Sequence, residues 1–143
     1  MFVDDERRVM DSYVLELALC GYEVDFETKV DVAWEFFEEN VDKIQLLILD
    51  IMMPPGENFK HAHTTGGLRT GVPFYKQVRQ RAPRLPVVIL TNVTDENVEQ
   101  FFSQEKHCRF LRKVDYLPFE FAEEVNKIIP LPKKKKEDED KEE

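Results

Sequence analysis

Leu46-Leu47-Ile48-Leu49-Asp50 is an unbroken apolar run that stops on a carboxylate. A run this short, without alternation, reads as a strand covered on both faces, and such strands lie inside parallel sheets. Pro86-Val87-Val88-Ile89-Leu90-Thr91 repeats the pattern and again ends on a polar residue. Strands buried on both sides need helices above and below, so the fold class is α/β. A buried carboxylate is costly unless something uses it. In an open α/β sheet, ligands and chemistry sit at the carboxyl ends of the strands.

The flanking patterns supply the other elements. Met1 to Val3 is a short strand that stops at Asp4-Asp5. Met10, Tyr13, Val14 and Leu17 fall at helical spacing, and Gly21 ends that helix. Tyr22, Val24 and Phe26 alternate with Glu23, Asp25 and Glu27, which predicts a one-sided strand at a sheet edge. Thr28 and Asp31 have capping-box spacing before a helix that buries Val30, Ala33, Trp34 and Phe37. A further helix carries Val72, Tyr75 and Val78, with Pro73 near its start. Thr94 is expected to cap a helix with Val98, Phe101 and Phe102 inward. Arg109 to Arg112 is a brief last strand, and Phe119 to Ile129 a last helix. This order predicts a flavodoxin-like (βα)5 three-layer sandwich with parallel strand order 2-1-3-4-5.

Residues 1–129 form the expected domain and residues 130–143 a charged tail. From Lys133 onward the tail holds five lysines, six acids and no apolar residue, so it is expected to be disordered. The formal net charge of -9 argues against direct nucleic-acid binding. No apolar run is long enough for membrane insertion, and the acidic N-terminus is no signal peptide. Cys20 and Cys108 offer neither a disulfide framework nor metal-ligand spacing. Both are expected to be buried free thiols, and the location cytoplasmic.

In the expected topology Asp4 and Asp5, Asp50, Thr91 and Lys113 each follow or end a strand at the same edge of the sheet. Clustered carboxylates raise one another's pKa values. A hard divalent cation resolves the repulsion, and Mg²⁺ takes a few carboxylates, waters and a phosphate. A lysine facing the acids makes sense when an incoming phosphoryl group brings its own negative charge. Each residue also has a plainer reading. Asp4-Asp5 would serve as an N-cap pair, Asp50 as a structural strand end, Thr91 as a turn initiator, Lys113 as a surface lysine and Phe110 as core.

Val3-Asp4-Asp5-Glu6, Leu49-Asp50-Ile51-Met52-Met53-Pro54, Ile89-Leu90-Thr91 and Phe110-Leu111-Arg112-Lys113 together resemble the receiver domain of two-component response regulators, the CheY-like group. The resemblance covers about Met1 to Ile129. It implies that Asp50 is the phosphoacceptor, and that Asp5, Asp50 and the Met52 carbonyl hold Mg²⁺ while Asp4 acts through a water. It implies that Lys113 and Thr91 bind phosphoryl oxygens, and that Thr91 and Phe110 move together as a switch. The implied partners are a histidine kinase or histidine phosphotransfer protein and an unknown output protein. Partner binding would be switched through the face made by the fourth helix, the fifth strand and the fifth helix, roughly Asp95 to Ile129. The only chemistry implied is self-catalysed phosphorylation and hydrolysis.

The chain departs from that pattern in four places. Three residues precede the acidic pair, fewer than the family carries on its central strand, and a shorter start would cost stability. Val114 follows Lys113 where the family has a proline in a cis peptide bond. A cis bond before valine would cost about 2.5–4 kcal/mol, so a trans bond and a rearranged loop are expected. Asn92 beside Thr91 is bulkier than usual and is expected to slow phosphoryl exchange. The stretch 55–71 is longer than the family needs and is expected to reshape the rim beside Asp50 and serve a partner. Within it, Glu57, His61 and His63 read as solvated loop residues more readily than as a metal site. Thr64 to Gly71 lacks the Gly-Lys-Ser/Thr ending of a phosphate loop.

Two rival readings differ in class. A degenerate receiver would be a constitutive protein-interaction module. An aspartyl-nucleophile phosphatase of the haloacid-dehalogenase type would carry a second aspartate two residues after the nucleophile, and that position here is Met52.

Overall fold

A computed structural model describes residues 1–60 and 69–131. The elements alternate as β1 (Phe2–Val3), α1 (Arg7–Leu19), β2 (Phe26–Glu27), α2 (Val30–Asn40), β3 (Leu47–Leu49), α3 (Gly71–Arg81), β4 (Val87–Thr91), α4 (Glu96–Ser103), β5 (Cys108–Arg112) and α5 (Pro118–Ile128). All five strands pair in parallel, in the order β2-β1-β3-β4-β5. This is the predicted flavodoxin-like topology.

The period of two along each strand divides the core between the faces of the sheet. Leu47, Leu49, Val87 and Ile89 face one layer, where α2, α3 and α4 contribute Phe37, Phe74, Tyr75, Val98 and Phe102. Ile48, Val88, Leu90 and Leu111 face the other, where α1 and α5 contribute Met10, Leu17, Phe121 and Val125. Because β3 and β4 are buried on both faces, their sequences show no alternation. The edge stretch Tyr22 to Phe26 shows it clearly: Glu23 and Asp25 are exposed while Tyr22, Val24 and Phe26 are half-buried. The ladder there begins only at Phe26, paired with Phe2, since β1 offers just Phe2 and Val3 as partners.

Both predicted threonine caps are corrected. Lys29 precedes α2 without any side-chain cap, so Thr28 does not fill that role. Asp31 is used elsewhere: its two oxygens accept from the backbone N–H groups of Glu57 and Asn58 at 2.7 and 2.9 Å. Asp95, not Thr94, caps α4, its Oδ1 accepting from the N–H groups of Asn97 at 2.9 Å and Val98 at 3.4 Å. A carboxylate also meets the positive end of the helix dipole, which a hydroxyl does less well. The cysteine expectation holds only in part. Cys20 is exposed and Cys108 half-buried, and burial pushes the Cys108 thiol up to about 11.

The connection after β3 is anchored where it is described. Phe59 is fully buried, with its ring 5.7 Å from Phe74 and edge-on to Trp34 at 6.5 Å. The candidate ligands His61 and His63, the stretch Thr64 to Leu68 and the tail from residue 132 lie outside the described residues. No helix among the described residues is long and apolar enough to cross a membrane.

Candidate functional site

Parallel pairing brings the carboxyl ends of β1, β3, β4 and β5 to one edge. Val3 pairs with Leu49, Leu49 with Ile89, and Thr91 with Arg112. The next residues in the chain therefore converge: Asp4 and Asp5 after β1, Asp50 after β3, and Lys113 after β5. One oxygen from each of Asp4, Asp5 and Asp50 lies within 4.8 Å of the others. Asp4 and Thr91 are fully buried and Asp50 nearly so, while Asp5 is exposed. The Lys113 Nζ lies 2.8 Å from Asp4 Oδ2 and 3.2 Å from Asp50 Oδ2.

Each carboxylate oxygen has a distinct environment. Asp50 Oδ1 accepts from the Ile51 N–H at 2.7 Å, and Oδ2 accepts from Lys113. Asp4 Oδ1 accepts from the Glu6 N–H at 2.9 Å. Asp4 Oδ2 pairs with the Lys113 ammonium at 2.8 Å. Burial raises the Asp50 pKa most, with Asp4 adding to it; Lys113 and the Thr91 hydroxyl oppose the shift without cancelling it. Partial desolvation and then Asp4 likewise raise that of Asp5, although its side chain is exposed. For Lys113, burial disfavours the charge most strongly of any single influence. Asp50 and Asp4 together outweigh it and hold the ammonium above its ordinary value.

The donor set suits a hard cation. Its three side chains, Asp4, Asp5 and Asp50, all offer carboxylate oxygens, the donors that such an ion prefers. Met52 lies in the irregular segment just beyond Asp50, with its side chain exposed. The Thr91 hydroxyl accepts from the Val93 N–H at 3.3 Å. Phe110 is half-buried and its ring stacks on Phe102 of α4 at 6.0 Å. Asn92, next to Thr91, is exposed at the rim.

The loop after β5 takes the form anticipated for valine at position 114. No cis peptide bond occurs among the described residues, and Lys113 to Asp115 form a single 3₁₀ turn. Lys113 nevertheless reaches the acids.

Three features of the site were not anticipated from the sequence. Gly71, the first residue of α3, donates to the Ile51 carbonyl at 2.8 Å. A Cβ there would lie 2.3 Å from the Asp50 carbonyl oxygen and 2.6 Å from Ile51 Cα. The glycine is visible in the sequence, but the backbone it approaches is not. Beside it, the buried Thr70 hydroxyl donates to the Met53 carbonyl, and Arg69 pairs with Asp95 at the start of α4. Finally, the Tyr13 hydroxyl of α1 donates to the Tyr116 carbonyl at 2.7 Å, with the Lys113 carbonyl at 3.3 Å. Tyr13 reads in the sequence as one more residue of an apolar stripe.

No protein-family model matches the chain, and no curated protein matches it by sequence. Solved structures do match. A response regulator receiver domain protein from Clostridium thermocellum aligns over 90% of each chain with a TM-score of 0.69 and 22% identity. The Vibrio cholerae chemotaxis protein CheY4 aligns over 90% of this chain and 95% of its own, with a TM-score of 0.69 and 21% identity. A putative response regulator from Chloroflexus aurantiacus J-10-fl aligns over 89% of this chain and 93% of its own, with a TM-score of 0.66 and 26% identity. The chain thus has the CheY-like fold of response-regulator receiver domains. Its acidic cluster fits the phosphorylation site of that fold.

Proposed function

We propose that the protein is a receiver that accepts a phosphoryl group on Asp50 in a Mg²⁺-dependent reaction and thereby changes its binding to a partner. One observation carries this reading. The ammonium of Lys113 bridges Asp50 and Asp4 at 3.2 and 2.8 Å inside a cluster of three carboxylates. A purely structural strand end needs neither the third acid nor the facing ammonium.

Asp5 and Asp50, with the Met52 carbonyl, would hold Mg²⁺, and Asp4 would act through a water. When bound, the ion supplies positive charge that keeps the carboxylates ionised and offsets charge on the transferring group. The donor would be phosphohistidine on a histidine kinase or phosphotransfer protein. An Asp50 carboxylate oxygen forms the new O–P bond as the P–N bond breaks. The departing imidazole keeps the bonding electrons and takes a proton from solvent. Lys113 offers its ammonium to a phosphoryl oxygen, and Thr91 offers its hydroxyl to another. Thr91 is on the strand that pairs with β5, so its movement is passed to Phe110 and the α4-β5-α5 face. The only catalysis involved is this self-phosphorylation and its hydrolysis. A cytoplasmic location suits the proposed donors.

Intact-mass measurement with acetyl phosphate tests the proposal. The expected result is the mass of one phosphoryl group gained with Mg²⁺, lost with chelator, and absent in Asp50→Asn. Label on another residue, or none, rejects the assignment.

One observation favours a constitutive interaction module instead. Val114, Leu117 and Phe119 are each exposed just before or within α5, so apolar side chains are presented to solvent without phosphorylation. Partner binding unchanged by beryllofluoride and Mg²⁺, and unchanged in Asp50→Asn, would select this second reading.

A further inference from the structure

The Lys113 ammonium must be held against two acids by a turn that has few supports of its own. The turn runs from Lys113 to Asp115 and is closed by a long hydrogen bond, Tyr116 N–H to the Lys113 carbonyl at 3.4 Å. Val114 at its centre is 78% exposed and gives little packing. The lysine stem is flexible, so the position of the turn's backbone sets the region that the ammonium can reach.

What fixes it comes from another element. Tyr13 lies on α1, which starts just after the Asp4-Asp5 pair. Its hydroxyl donates to the Tyr116 carbonyl at 2.7 Å and sits 3.3 Å from the Lys113 carbonyl, so it spans both ends of the turn. The ring is held edge-on to the fully buried Phe121 of α5 at 5.8 Å. The hydroxyl therefore cannot follow the turn freely if the turn shifts. It ties the β5–α5 connection to the helix that follows two of the carboxylates.

We propose that Tyr13 is a positioning residue: by gripping the carbonyls at both ends of the turn, its hydroxyl sets where the Lys113 ammonium stands against Asp50 and Asp4. The functional consequence rests on the phosphoacceptor reading above, because it is there that Lys113 meets a phosphoryl oxygen.

Tyr13→Phe tests the idea, since it keeps the ring and removes the hydroxyl. Losing one such hydrogen bond is worth about 1 kcal/mol, so beryllofluoride affinity in the presence of Mg²⁺ should fall roughly five- to tenfold. In a Lys113→Ala background the same substitution should have no effect. Equal losses in both backgrounds, or no loss in either, would overturn the proposal. A crystal structure of Tyr13→Phe gives a second readout that needs no ligand. Lys113 Nζ displaced from both acids supports the inference, and Nζ unmoved rejects it. Wild-type protein that binds no beryllofluoride would instead reject the phosphoacceptor reading, leaving the variant's structure to decide the role of Tyr13.

Discussion

Asp50 is held between opposing influences. Burial and Asp4 favour its neutral form, while Lys113, Thr91 and the Ile51 N–H favour its anion. The folded-state pKa is raised above 3.8, so between that value and the raised one the folded chain binds more protons than the unfolded chain. Stability from this group is therefore present at low pH and declines as pH rises through the window. Asn in its place keeps an acceptor for the Ile51 N–H and removes the charge. In chelator, the unfolding midpoint of Asp50→Asn should gain on wild type as pH is raised from 3.8 through the carboxylate range. Urea titrations at several pH values measure it; a constant gap would show that Asp50 carries no such penalty. Adding Mg²⁺ should narrow the gap, because only the wild type has the full set of acids.

At the scale of elements, the site depends on how closely α3 approaches the end of β3. Gly71 begins the helix with its Cα against the Asp50–Ile51 backbone. A methyl group there would meet main chain rather than a side chain able to swing away. Gly71→Ala should cost about 1–3 kcal/mol, the usual range for overpacking. It should also shift the amide signals of Asp50 and Ile51 in NMR spectra more than those of β5. Unchanged stability would mean that α3 retreats easily. The same junction revises the view of the stretch 55–71 as an added rim. Phe59 is a core ring and Asp31 clamps the backbone at Glu57 and Asn58. Gly71 supports the site itself. Both described ends of that stretch are therefore structural.

Across the whole molecule, an aromatic network joins α3, α4 and β5. Tyr75 meets Phe101 and Phe102 at 6.1 and 5.0 Å, and Phe102 stacks on Phe110 at 6.0 Å. Phe102 is fully buried, so Phe102→Ala should cost about 3–5 kcal/mol in urea unfolding. That is a large share of the roughly 5–15 kcal/mol typical of a domain. A loss under about 1 kcal/mol would show that α4 repacks over the gap. Since Phe110 rests on Phe102, the variant should also loosen the face by which the proposed switch would be read.

The sequence alone determined the architecture and the members of the acidic cluster. Burial on both faces leaves unbroken apolar runs, burial on one face leaves alternation, and parallel strands put their terminal residues at a common edge. Those are local consequences of backbone geometry, so they are written in order along the chain. It did not determine which residue caps a helix when two neighbours compete, as Thr94 and Asp95 do. Nor did it show that Asp31 would hold a distant loop, that Gly71 would lie on Asp50, or that Tyr13 would grip the turn carrying Lys113. Those contacts join positions far apart in the chain. Only the packing of helices onto the finished sheet brings such groups within reach of one another.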